Sequence, residues 1–192
     1  MSARSISYTG YSDAQLLPLI TTGNSMAFDE LYFRYGQKIF SYFFRMLWKN
    51  KELAEDCTQD LFLKIIRHAE IFDQEKRFST WLYSIAHNMC KNEYRKKEVR
   101  MNHLAINREN PASVEAADPD MNRFRLAVQA CSNALSEEKK SLYILRFTEN
   151  LTVPEISSIL SIPEGTVKSR IFYLLKEMKE QLKEFETLLV YP

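Results

Sequence analysis

Between Met26 and Met46 the apolar residues Phe28, Leu31, Tyr32, Tyr35, Ile39, Tyr42, Phe43 and Met46 recur three and four apart. That period places one face of an α-helix against a core. Ahead of this helix, Ser12 and Gln15 have the capping-box spacing and predict a short first helix that Gly23 closes. After it, Leu53, Cys57, Leu61 and Ile65 recur every four residues and predict a third helix from Lys51 to about Glu70. A fourth starts near Ser79, with Phe78, Leu82, Ile85 and Met89 as its core stripe.

The pattern then breaks. Residues 107–122 hold two prolines, four acids and hardly any bulky apolar side chain, which is linker composition. Helical periodicity returns from Phe124 to about Leu135. Ser136 is expected to cap the next helix, with Glu137 and Glu138 in its first turn. Thr152 and Glu155 make a second capping box, opening a helix to about Leu160. Ser161-Ile162-Pro163 reads as a tight turn, with Pro163 at the start of a last helix. Val167, Ile171, Leu174, Met178, Leu182 and Phe185 give that helix one apolar side. The expected fold is all-α: a helical domain over 12–100, a linker over 101–122 and a second helical domain over 123–187.

Composition narrows the possibilities. With 45% hydrophobic residues and 27% charged residues the chain can build a packed core, and 4 Gly are too few for a turn-dense β fold. No apolar run approaches the ~18 residues needed to cross a membrane. The N-terminal stretch lacks the apolar segment of a signal peptide, so the expected location is cytoplasmic. Cys57, Cys90 and Cys131 are distant in sequence and are expected to be reduced thiols in or near the core. His68, His87 and His103 show no ligand spacing, so neither a metal nor a cofactor is expected. There is no phosphate-binding glycine loop and no nucleophile motif, which argues against an enzyme.

The polar faces carry the candidate chemistry. On the third helix Asp56, Gln59 and Leu63 point away from the core. An isolated outward leucine is common, but one flanked by polar residues also suits a docking surface. On the fourth helix Ser84, Asn88, Lys91 and Arg95 share one stripe, and Lys96 and Lys97 extend its basic end. The segment from Lys76 to Arg108 holds eight lysines or arginines and two acids; it suits a polyanion or a solvated face. The most specific signal lies between Thr152 and Leu175. Ile156, Leu160, Ile162, Val167 and Ile171 can share one small core across a short turn, the pattern of a helix-turn-helix, with Ser157 small enough for close approach of the two helices. Its second helix presents Thr166, Ser169 and Tyr173, flanked by Lys168 and Arg170, the groups that phosphate and base-edge contacts need. A plain helical hairpin has the same spacing.

Leu151 to Arg170 closely resembles the region-4 helix-turn-helix of extracytoplasmic-function sigma factors, above all in Ile162-Pro-Glu-Gly-Thr-Val-Lys-Ser-Arg170. Ala54-Glu-Asp-Cys-Thr-Gln-Asp-Leu-Phe-Leu-Lys64 resembles sigma region 2.2. Phe78-Ser-Thr-Trp-Leu-Tyr-Ser-Ile-Ala-His-Asn88, followed by Arg95-Lys-Lys97, resembles regions 2.3 and 2.4. The resemblance implies a sigma factor that binds core RNA polymerase and directs initiation at particular promoters. It implies polymerase docking through Asp56, Gln59, Asp60 and Leu63. Lys76, Arg77, Phe78 and Trp81 would border the site for an unstacked base of the −10 element, although both aromatics also suit a core, Phe78 more than Trp81. Asn88, Lys91, Arg95 and Lys96 would follow the non-template strand. Thr166, Lys168, Ser169, Arg170 and Tyr173 would read the −35 duplex. The linker would run through the polymerase toward the RNA exit path. A cognate anti-sigma protein and a monomeric state are further implications.

The turn departs from the family in having Ser161 where glycine is usual, at a small conformational cost if its φ is positive. The loop from Asp73 to Ser79 matches the family poorly, and Asp73 and Glu75 would repel phosphate there, either rejecting wrong registers or simply sitting in solvent. The competing reading is a stand-alone helix-turn-helix regulator, which should carry a dimer interface and a ligand or receiver domain. The first half shows no strand alternation to support one.

Overall fold

The computed structural model describes residues 8–101 and 119–188, and among them every regular element is helical. The chain divides into two compact units, Met1–Arg95 and Lys96–Pro192. The expected linker lies almost wholly in residues 102–118, outside the described residues.

In the first unit, α1 (Asp13–Thr21) opens with the expected capping box. The Ser12 hydroxyl accepts from the Gln15 amide at 3.3 Å, and the Gln15 side chain accepts from the Ser12 amide at 2.8 Å. Gly23 follows with φ +84°, the left-handed geometry that ends the helix. Helix α2 (Ser25–Met46) is capped by Asn24 and α3 (Lys51–His68) by Asn50, each through its side-chain oxygen. A 3-10 turn at Ala69–Ile71 leads through the 72–77 segment to α4 (Phe78–Met101). Leu31, Ile39, Tyr42 and Phe43 of α2 are fully buried, as are Leu16 of α1, Leu61 and Ile65 of α3 and Leu82 of α4. Each leucine, isoleucine and phenylalanine among them contributes about 1.5–3 kcal/mol by leaving water. The core stripe of α4 is wider than its spacing suggested, since Tyr83, Ala86, Cys90 and Tyr94 are also buried. Tyr94 donates its hydroxyl to the Met46 carbonyl at 2.8 Å, tying α4 to the end of α2.

In the second unit, α5 (Pro119–Ala134) begins five residues before the expected Phe124. Proline reads as linker in isolation, but a first helical turn accepts it because its amides have no helical partner. Helix α6 (Glu137–Tyr143) runs into a π turn at Ile144–Thr148. Ser136 occupies the cap position of α6, yet its side chain makes no capping hydrogen bond, against expectation. Helices α7 (Val153–Leu160) and α8 (Glu164–Gln181) follow, with a closing 3-10 segment at Lys183–Leu188. The Thr152–Glu155 capping box of α7 is present. Pro163 lies just ahead of α8 with ψ 146°, so it caps the helix from outside rather than forming its first residue. Leu142, Leu145, Ile156, Val167, Leu174 and Phe185 centre this second core.

All three cysteines are free and buried. No helix among the described residues is long and apolar enough to cross a membrane.

Candidate nucleic-acid and partner interfaces

Helices α7 and α8 form the helix-turn-helix around Ile156, Ile159 and Val167, all buried, with Leu160, Ile162 and Ile171 half-buried at its margin. Ser157 does more than permit close approach: its hydroxyl donates to the Ile162 carbonyl at 2.6 Å and so holds the turn. Ser161 has φ +54°, the strained geometry for which glycine is better suited. On the outward side of α8, Lys168 and Ser169 are exposed, Tyr173 is 65% exposed and Thr166 is half-buried. Ser169 donates its hydroxyl to the Thr166 carbonyl at 3.0 Å, which leaves its lone pairs outward. Arg170 reaches Glu138 at 3.4 Å, with both side chains substantially exposed. Such a pair is worth at most about 1 kcal/mol, so the guanidinium is easily released to a phosphate or base edge.

Along α4, Asn88, Lys91 and Arg95 of the first unit are exposed, as is Lys96, where the second unit begins. Ser84 at the head of that stripe is half-buried, and its hydroxyl donates to the Trp81 carbonyl at 2.7 Å. Before α4, Asp73 organises the loop. One carboxylate oxygen accepts from the Glu75 amide at 3.1 Å, and the other lies 3.4 Å from the Lys76 ammonium. This carboxylate therefore has a structural task and is not simply a repulsive charge. Lys76 and Arg77 are exposed. Phe78 is buried against Phe72, Tyr35 and Trp81, whereas Trp81 is half-buried and keeps part of its ring at the surface. The two aromatics left open by the sequence thus separate: Phe78 is a core residue supporting Trp81.

The third surface is the outer side of α3, where Asp56, Gln59 and Asp60 are exposed and Leu63 is 47% exposed. Beside it lies a groove of about 730 Å³ between α2 and α3, lined among others by Tyr32, Phe33, Phe40, Thr58 and Gln59. Phe33 is 85% exposed. Gly36 gives the groove its depth, because a Cβ there would sit 3.2 Å from the Tyr32 ring. Sequence reasoning assigned α2 a single apolar face and missed this second one. Its signal was present: Met26, Phe33 and Phe40 are spaced by sevens, with Phe44 one turn further on, and Phe40 stacks on Phe44 at 6.0 Å. Phe172, 63% exposed beside Tyr173 on α8, was missed as well.

Both units match known families. Residues 31–100 match the family Sigma-70 region 2, and residues 125–178 match Sigma-70, region 4. The chain is 30% identical over 176 residues to the ECF RNA polymerase sigma factor SigW of Bacillus subtilis, covering 86% of this chain and 94% of that protein. It is 30% identical to the ECF RNA polymerase sigma-E factor of Escherichia coli, covering 84% and 89%. Among solved structures, the fold is similar to CnrH in complex with the cytosolic domain of CnrY, with a TM-score of 0.66 at 19% identity, covering 90% of this chain and 97% of that one. It is also similar to the sigma factor RpoE bound to the anti-sigma factor NepR from Bartonella quintana, with a TM-score of 0.65 at 19% identity, covering 81% and 96%. With one sigma-70 region in each half and curated relatives matched along nearly their whole length, this chain belongs to the extracytoplasmic-function branch of the sigma-70 family.

Proposed function

We propose that this chain acts as an initiation factor in the cytoplasm: it binds core RNA polymerase and directs it to promoters with defined −10 and −35 elements. The observation that carries the reading is the pairing of a region-2 unit and a region-4 unit in one chain, each with an exposed polar helix face. Docking uses Asp56, Gln59, Asp60 and Leu63, and extends into the neighbouring groove with Phe33. The −10 strand follows Asn88, Lys91, Arg95 and Lys96, while Lys76, Arg77 and the half-buried Trp81 receive an unstacked base. Taking a base out of the stack requires just such an aromatic and cationic surround. The −35 duplex is read by Thr166, Lys168, Ser169, Arg170 and Tyr173. The domains run over 12–100 and 123–187, and the chain works as a monomer until an anti-sigma protein covers these faces.

Each unit alone offers few phosphate contacts, so neither binds duplex DNA strongly at physiological salt. Holding both on one polymerase makes the second contact intramolecular, a gain of about 10²–10⁴ without any new interaction. The test is reconstitution. Core enzyme with this chain should open a specific promoter that neither opens alone. Tight footprinting of an operator by the purified chain as a dimer would instead favour a stand-alone regulator.

A further inference from the structure

A chain of contacts runs from the first turn of α1 to the aromatic wall beneath the 73–77 loop. Asp13 accepts the Tyr35 hydroxyl on one carboxylate oxygen at 2.5 Å and the Arg34 guanidinium on the other at 2.9 Å. Arg34 is itself held by Glu30 at 2.7 Å and donates to the Tyr8 and Thr9 carbonyls. The Tyr35 ring meets Phe78 edge-on, with centroids 5.2 Å apart. Phe78 in turn lies 5.9 Å from Trp81, and Trp81 lies 5.3 Å from Phe72. Lys38 stands over the Tyr35 ring at 5.6 Å. Helix α1 also packs on the Ala69–Ile71 turn that feeds the loop. Burial, with the bond to Asp13, raises the Tyr35 pKa well above the ordinary tyrosine value, so this donor persists at any physiological pH.

We propose that Asp13 and Tyr35 are positioning residues for promoter opening: their hydrogen bond orients the Tyr35 ring, which through Phe78 sets the angle of Trp81 toward the captured −10 base. Neither residue touches DNA. The inference rests on the reading that Trp81 borders the base site. Binding constellations lose precision when the shell behind them is loose, even though every contacting group remains. Edge-to-face aromatic packing passes orientation on because it has a preferred geometry. Asp13 lies outside the segment that matches Sigma-70 region 2, so α1 adds a support that this match does not include.

The test uses the full chain with core polymerase and compares Tyr35→Phe and Asp13→Ala with the parent. Tyr35→Phe keeps the ring and removes only the hydroxyl. Polymerase affinity should stay within about twofold, and −35 duplex binding should be unchanged. Discrimination between the promoter and one altered at the captured −10 base should fall about three- to tenfold, within the range of couplings passed through packed side chains. The double variant should be no worse than Asp13→Ala alone, because Tyr35→Phe removes only a bond that Asp13→Ala has already broken, whereas Asp13→Ala also frees Arg34. Unchanged discrimination in both single variants overturns the proposal. So does a parallel fall in discrimination and polymerase affinity, which marks a general weakening of the unit. Trp81→Ala separates the two levels. If it retains full discrimination, the base-site reading itself is wrong; if it loses discrimination while Tyr35→Phe does not, only the positioning role fails.

Discussion

Ser157 donates its hydroxyl to the Ile162 carbonyl at 2.6 Å, bridging the turn in which Ser161 holds φ +54°. The bond closes the helix-turn-helix from within, and the left-handed residue between its ends is what lets the chain reverse. Ser157→Ala should cost about 1 kcal/mol, the worth of a partly buried hydrogen bond. Ser161→Gly should be neutral or stabilise by up to about 1 kcal/mol, since glycine enters that region without a Cβ penalty. Urea unfolding of the second unit, followed beside −35 duplex affinity, checks both signs. Two losses of equal size would show that the turn does not depend on this geometry.

The α2–α3 groove is open to solvent, so polar substitutions on its rim need not harm the fold. Phe33→Ser on that rim should leave the melting temperature nearly unchanged, because Phe33 is 85% exposed, whereas Leu63→Ser on the outer side of α3 should lower it slightly, because Leu63 is only 47% exposed and serine is the weaker helix former. Each should weaken core polymerase binding by roughly 1–3 kcal/mol, as loss of a docking anchor does. Charge reversal at Asp56 combined with Gln59→Ala should do the same while sparing duplex binding by α8. Competition binding to core enzyme measures these effects, and unaltered affinity in Phe33→Ser removes the groove from the docking surface.

On α8 the cation and the hydroxyl predict different behaviour. Lys168→Ala should weaken binding uniformly across −35 sequences and lower the slope of affinity against salt by about one phosphate contact. Ser169→Ala should relax preference at a single base pair, by about 1 kcal/mol, and leave the slope alone. Holoenzyme titrations at several salt concentrations on a set of −35 variants distinguish the two.

Tyr35 makes alkaline stability a readout of its environment. Burial and the Asp13 bond raise its pKa in the fold, while an unfolded tyrosine ionises near pH ~10. The folded chain therefore keeps a proton that the unfolded chain gives up. The stabilisation is complete below about pH 10 and falls as pH rises beyond it. Tyr35→Phe should flatten this decline relative to the parent in urea midpoints taken between about pH 9 and 11. Identical pH profiles would mean that the hydroxyl is not held as described.

Local signals in the chain were enough to reach the helices, the capping boxes at Ser12 and Thr152 and the helix-turn-helix, since such boxes and runs of apolar residues three and four apart act over a few residues; the Asn24 and Asn50 caps were not among the expectations, and the expected Ser136 capping bond does not form. They were also enough for the family, through contiguous stretches such as Ile162 to Arg170. What they could not decide was which of two apolar faces a helix turns inward. On α2 both Phe28–Leu31–Tyr35 and Met26–Phe33–Phe40 have helical spacing, and only the packing of α3 against one of them leaves Phe33 in solvent. The same holds for Phe78 and Trp81, alike in chemistry but divided by Tyr35 and Phe72 into a buried support and a partly open ring. The bond from Tyr35 to Asp13 joins residues 22 positions apart, and periodicity carries no record of a contact that exists only once two helices have met.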